Sequence, residues 1–106
     1  MRRALVLLNK IVAGTLTETD DMRYVFQYDE AFLYDTTNRP ISLAFPKRKE
    51  EYVSEELFPF FFNMLSEGAN KVIQCQSLKI DENDYFGLLL ATAKYDSIGA
   101  VTIEEI

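Results

Sequence analysis

The chain has 106 residues and a hydrophobic content of 48%, which predicts one folded domain with one core over residues 1–106. Its 11 Lys and Arg residues against 17 Asp and Glu residues give a net charge of −6, which argues against diffuse attraction to nucleic acid or an anionic membrane. The absence of His and the single Cys75 argue against a structural zinc site and an internal disulfide. We expect a cytoplasmic protein without metal, cofactor or small-molecule ligand.

The N-terminal segment is predicted to form a β-hairpin. Apolar runs at Ala4–Leu8 and Ile11–Thr17 flank the dipeptide Asn9-Lys10, which is a plausible turn. Gly14 lies inside the second run, and a glycine in a strand often marks a bulge or a close backbone approach.

The clearest strand of the sequence is Met22–Tyr28, in which apolar side chains recur at every second position from Met22. Asp29 is then predicted to cap a single helical turn over Glu30–Tyr34. A short strand is predicted at Ile41–Phe45, and a charged loop follows at 47–51.

The second half is predicted to be mainly helical. Ser54 is a good N-cap for a helix whose first turn is irregular because Pro59 lacks an N–H. Asp81 and Asp84 form an acidic capping box for a later helix. The predicted helices and the last strand are Leu57 or Phe58 to Leu65, Ala69–Leu78, Asp81–Thr92 and Ala100–Ile103. This order predicts an α+β fold, with a small, mostly antiparallel sheet of about five strands packed against two to three helices.

The aromatic run at Phe58 and 60–62 is the most unusual feature. At helical spacing, one face collects Leu57, Phe58, Phe61, Met64 and Leu65. One interpretation is a central helix covered on both sides. The other is that a flanking side chain, Phe60 or Phe62, reaches a partner surface.

Other polar features give weak functional signals. The basic run Lys47-Arg48-Lys49 suits a solvated loop better than a phosphate grip, since stacking aromatics and a wider basic spread are missing. The adjacent acidic pairs suit surface solvation, because neighbouring carboxylates do not face a shared cleft. Cys75 has no His to activate it. We therefore predict that the chain is not an enzyme.

Several segments together resemble one family. These are the P-I-S-L-A-F-P run Pro40–Pro46, the F-F-F-N-M-L-S-E-G run Phe60–Gly68, the D-Y-F-G-L-L run Asp84–Leu89, and Tyr95–Ala100. In order and spacing they resemble the N-terminal domain of HipA-type toxin kinases, and Val12–Leu16 is similar to that family's opening. The chain stops where the kinase body of the family would begin, so it looks like a detached domain of the HipS type.

The resemblance implies a separately encoded HipA-like kinase as the partner, and a helix-turn-helix repressor that would connect the protein to DNA only indirectly. We expect a non-catalytic domain that docks onto this kinase and neutralises it as an antitoxin. The alternative is a structural subunit that assembles a kinase–repressor complex on DNA without inhibition. The expected partner-binding residues surround the turn at Glu67-Gly68, although an ordinary helix corner is also open. These residues are Phe62, Asn63, Ser66, Glu67, Gly68 and Lys71.

Overall fold

The computed structural model describes residues 1–65, 84–92 and 101–106, which form an α+β fold. A five-stranded sheet has the order β4-β3-β2-β1-β5, and all four pairings are antiparallel. The strands are β1 (Arg2–Leu8), β2 (Ile11–Glu18), β3 (Tyr24–Tyr28), β4 (Tyr52–Ser54) and β5 (Val101–Glu105). The described helices are α1 (Glu30–Tyr34), α2 (Pro59–Phe62) and α3 (Tyr85–Thr92). The predicted fold class is confirmed.

The β1–β2 hairpin follows the sequence prediction. Asn9 and Lys10 have positive φ values of 51° and 68°, as expected for a two-residue turn that matches the strand twist. The pairing shifts by one residue at Ala13, which is a bulge. A Cβ at Gly14 would lie 2.3 Å from the carbonyl oxygen of Gln27, so both predicted roles of a strand glycine occur together here.

Strand β3 supplies the centre of the core. Tyr24, Phe26 and Tyr28 point to the buried face, as the alternating pattern predicts. The prediction that this strand begins at Met22 is wrong, because the strand begins at Tyr24. Met22 has a φ of 63° and is 63% exposed, because it lies in a turn closed by the bond from its N–H to the Thr19 carbonyl at 3.1 Å.

The predicted strand Ile41–Phe45 is also wrong. A turn replaces it, since the Phe45 N–H donates to the Ser42 carbonyl at 3.1 Å. One edge strand of the sheet is β4, which begins directly after the predicted charged loop at 47–51. Ser54 therefore ends a strand and does not cap a helix; its hydroxyl accepts the N–H of Glu56 at 3.2 Å.

The helices are shorter than the patterns predict. Pro59 is the first residue of α2, where its missing N–H has no cost, and beyond Asn63 the bonds change to the i−3 type. The last described helix, α3, begins at Tyr85 and is capped by Asp84, whereas the predicted start at Asp81 lies outside the described residues. The predicted helix Ala69–Leu78 lies outside the described residues. Within the described ranges, no helix is long and apolar enough to cross a membrane.

A candidate docking groove beside the aromatic helix

Helix α2 divides the aromatic run between the core and the surface. Phe61 is fully buried, and its ring contacts those of Phe26 and Phe45 at centroid distances of 5.8 and 5.7 Å. Phe60 packs at the edge of the same cluster. Phe62 is 38% exposed and meets the Tyr85 ring edge-on at 5.2 Å. The predicted core face is confirmed, and Phe62 is the flank with the larger exposure.

A groove of about 580 Å³ opens beside Phe62. Four separate segments form it: the turn before β3 with the start of β3, the stretch after β4, helix α2 with the next residue, and the start of α3. The lining residues are Met22, Tyr24, Glu55, Glu56, Leu57, Pro59, Phe62, Asn63 and Tyr85. Most of these residues are aromatic or aliphatic, and the set includes the two exposed carboxylates of Glu55 and Glu56.

A charged network fixes the wall that carries Tyr85. The Arg2 guanidinium donates two bonds to the Asp84 carboxylate at 2.7 and 3.0 Å and one to Glu18 at 2.9 Å. Asp84 also accepts the Gly87 N–H at 3.1 Å, so it joins the cap of α3 to the first strand. Its bonds to Arg2 hold the pKa of Asp84 below its usual range, and the same bonds raise the pKa of Arg2.

Tyr24 joins this network to the groove. Its ring lines the groove, and its hydroxyl donates to the buried Glu18 carboxylate at 3.2 Å. Burial, together with the nearby negative charge of Glu18, raises the pKa of Tyr24. The polar side chains that hold the groove wall in place, Arg2, Glu18, Tyr24 and Asp84, are therefore all hydrogen-bonded to one another.

The basic loop predicted as a candidate anion site has structural contacts. The Lys47 ammonium donates to the carbonyl oxygens of Asp35 and Asn38 at 3.1 and 3.0 Å. The Arg48 guanidinium lies 3.7 Å from the centre of the Tyr52 ring. Both side chains hold the segment between α1 and β4 in place.

Two of the predicted contact residues, Phe62 and Asn63, line the groove. Ser66, Glu67, Gly68 and Lys71 lie outside the described residues. The sequence prediction missed Met22, Tyr24 and Tyr85, for which no local signal exists, because each of them is far from Phe62 in the chain. The adjacent Glu55 and Glu56 were assigned to solvation; both are exposed, and both line the groove.

The residues that line the groove are suited to binding a partner side chain. Its aromatic and aliphatic side chains can contact an apolar side chain of a partner, and the exposed carboxylates of Glu55 and Glu56 can pair with a cation from that partner. In the part of the chain that the structure describes, no three His, Cys, Asp or Glu side chains are grouped so as to hold a metal ion.

Comparison with known proteins gives consistent matches. The family model described as "HipA N-terminal domain" matches residues 4–104. An uncharacterized protein of Haemophilus influenzae is 33% identical over 105 residues, which cover 99% of this chain and 93% of that protein. "Putative kinase Y4mE" of Sinorhizobium fredii is 32% identical over 78 residues, and this match covers 74% of the chain but only 19% of that relative.

A solved structure titled "N-terminal domain of HipA toxin" is similar throughout, with a TM-score of 0.74 and 27% identity. The match covers 100% of this chain and 93% of that one. The match therefore extends over the domain and not over a kinase body. The chain belongs to the HipA N-terminal domain family.

Proposed function

We propose that this protein is a non-catalytic cytoplasmic domain that docks onto a separately encoded HipA-type kinase body and neutralises it. Membership of the family supports a HipA-related partner. The match covers 93% of the Haemophilus influenzae relative, so that protein contains little besides this domain. This supports a domain that can act without a covalently attached kinase body. The unpaired Cys75 is compatible with a reducing compartment.

The half-exposed Phe62 side chain at the groove is the observation that carries this proposal. It lies beside the exposed Asn63, so an aromatic anchor and an amide are presented together. Interfaces are enriched in such aromatic anchors at their centres. We propose a contact surface that starts at the groove and continues along the chain beyond α2. Its residues are Phe62, Asn63, Ser66, Glu67, Gly68 and Lys71.

The chain would neutralise the kinase by occupying one of its surfaces or by biasing its conformation, and the second route requires that the chain binds one state of the kinase more tightly than another. A ligand shifts a conformational equilibrium only by its differential affinity for the two states. The antitoxin role therefore predicts tight binding to an inactive kinase conformation. A domain that binds both states equally would serve assembly alone.

Co-expression with a kinase body that lacks this domain, followed by size-exclusion chromatography and an autophosphorylation assay, tests the proposal. We expect co-elution and suppressed phosphorylation. Co-elution with unchanged phosphorylation would favour a subunit that assembles a kinase–repressor complex. Failure to form any complex would contradict the docking function.

Phe62→Ala tests the groove itself. Truncation of an aromatic anchor should weaken binding by about tenfold or more, which corresponds to about 1.4 kcal/mol. Tyr34→Ala is the matched control, because Tyr34 is an aromatic residue outside the groove that is 62% exposed. Thermal melts of both variants distinguish lost contact from lost fold, since Phe62 also contacts Tyr85.

A further inference from the structure

Leu43 is the most exposed large hydrophobic residue among those the structure describes. Its side chain is 99% exposed, whereas Ile41 and Phe45 on either side are buried in the core. None of the groove residues belongs to this segment. The fold therefore anchors both ends of a short turn and presents a leucine to solvent between them.

The turn is held by several hydrogen bonds. The N–H of Phe45 donates to the Ser42 carbonyl at 3.1 Å, and the N–H of Ala44 donates to the Ser42 hydroxyl at 3.1 Å. Beneath the turn, the Tyr28 hydroxyl accepts the Ile41 N–H at 3.2 Å and donates to the Phe45 carbonyl. A partner that covers Leu43 would thus meet a pre-ordered turn, and pre-ordering lowers the entropic cost of binding.

The charge around the turn differs from that of the whole chain. Residues 39–49 contain four basic residues and no acidic one, in a chain with net charge −6. Lys47 and Arg48 donate to backbone carbonyl oxygens, which are neutral acceptors. Pro40, Ala44 and Pro46 are exposed as well, which extends the apolar surface on both sides of Leu43.

We propose that Leu43 is the apolar anchor of a second docking surface, which inserts into an apolar pocket edged by carboxylates on the kinase body. The basic residues on either side complement that acidic rim, and they accelerate association by electrostatic attraction. This inference rests on the proposed function and adds to it: the kinase body is held at two points, the groove and the Leu43 turn.

Titration calorimetry of the Leu43→Ala and Leu43→Asp variants against the purified kinase body tests the inference, because it measures the affinity of each variant. We expect Leu43→Ala to weaken binding by roughly 10- to 100-fold, and Leu43→Asp to weaken it further, with melting temperatures unchanged. Ile106→Ala is the matched control, because Ile106 is an aliphatic residue that is 68% exposed in another part of the chain. Arg39→Gln should slow association and reduce its dependence on salt.

The outcomes separate this inference from the proposed function. If the unmodified chain binds and Phe62→Ala weakens binding while both Leu43 variants bind normally, only the second surface is refuted. If the unmodified chain does not bind the kinase body, the proposed docking function and the second docking surface are both refuted. If the chain self-associates through Leu43 and the kinase titrations are unaffected, a second copy of the chain is the occupant and the kinase pocket is refuted.

Discussion

Replacement of Gly87 by Ala should destabilise the protein although Gly87 lies in a helix. A helical Gly→Ala change ordinarily stabilises by up to about 1 kcal/mol. Here an added Cβ would lie 2.3 Å from one oxygen of the Asp84 carboxylate and 2.8 Å from its carboxyl carbon. Asp84 would have to move, and it would lose its bonds to the Gly87 N–H and to Arg2.

The magnitude follows from these contacts. Loss of an N-cap costs about 1 kcal/mol. The Arg2–Asp84 pair contributes about 1 kcal/mol after screening, since the two side chains are 37% and 34% exposed. Together these two losses cost about 2 kcal/mol, and the higher helix propensity of Ala offsets about 1 kcal/mol of this cost. The net destabilisation is therefore about 1 kcal/mol. The melting temperature should therefore fall by about 4–8 °C.

A double-mutant cycle with Asp84→Ala isolates the clash. In that background the carboxylate is absent, so Gly87→Ala should stabilise by up to about 1 kcal/mol, and the coupling free energy should be about 2 kcal/mol. Urea unfolding of the four proteins measures these values. Stabilisation by Gly87→Ala in both backgrounds would refute the assigned role of Asp84.

Three further predictions concern the hairpin and the tyrosine beneath the Leu43 turn. Lys10→Gly should raise the free energy of unfolding by about 1 kcal/mol, because Lys10 has a positive φ that glycine adopts without strain; a fall in urea midpoint would contradict this. Gly14→Ala should fail to give a native melt, because the new Cβ meets the Gln27 carbonyl. Tyr28→Phe should cost about 2 kcal/mol, since the N–H of Ile41 loses its acceptor. Burial raises the pKa of Tyr28 to about 12, so stability is maintained below pH of about 10 and falls as the pH rises to about 12. Tyr28→Phe should reduce this alkaline loss, which denaturant midpoints against pH would measure.

Local patterns predicted the parts of the fold that depend on local chemistry. The β1–β2 hairpin requires only a suitable turn and two β-rich runs, and the role of Gly14 follows from its place in a strand. Strand β4 has three residues and exists because it pairs with Tyr24–Phe26, a distant segment that no short window includes. The alternation in Ile41–Phe45 resembled a strand because both end residues are buried, yet Tyr28 holds them in a turn.

The site was predictable only in part for the same reason. Phe62 was singled out because it flanks the apolar face of an unusual aromatic run, and Asn63 because it lies near the predicted turn at Glu67-Gly68; both line the groove. The groove that contains them also needs Met22 and Tyr85, which the sequence separates by more than sixty residues. The bond between Arg2 and Asp84 spans 82 residues, so no spacing rule could have connected the first strand to the cap of α3.

Hydrogen exchange of the chain alone and in complex with the kinase body tests the docking surface most directly. The account predicts slowed exchange of backbone amides at residues 55–63, which border the groove, and at 41–45 around Leu43. The β1–β2 turn at Asn9 and Lys10 should exchange at the same rate in both states. Protection confined to that turn or to other segments, with residues 55–63 unchanged, would contradict docking through the groove.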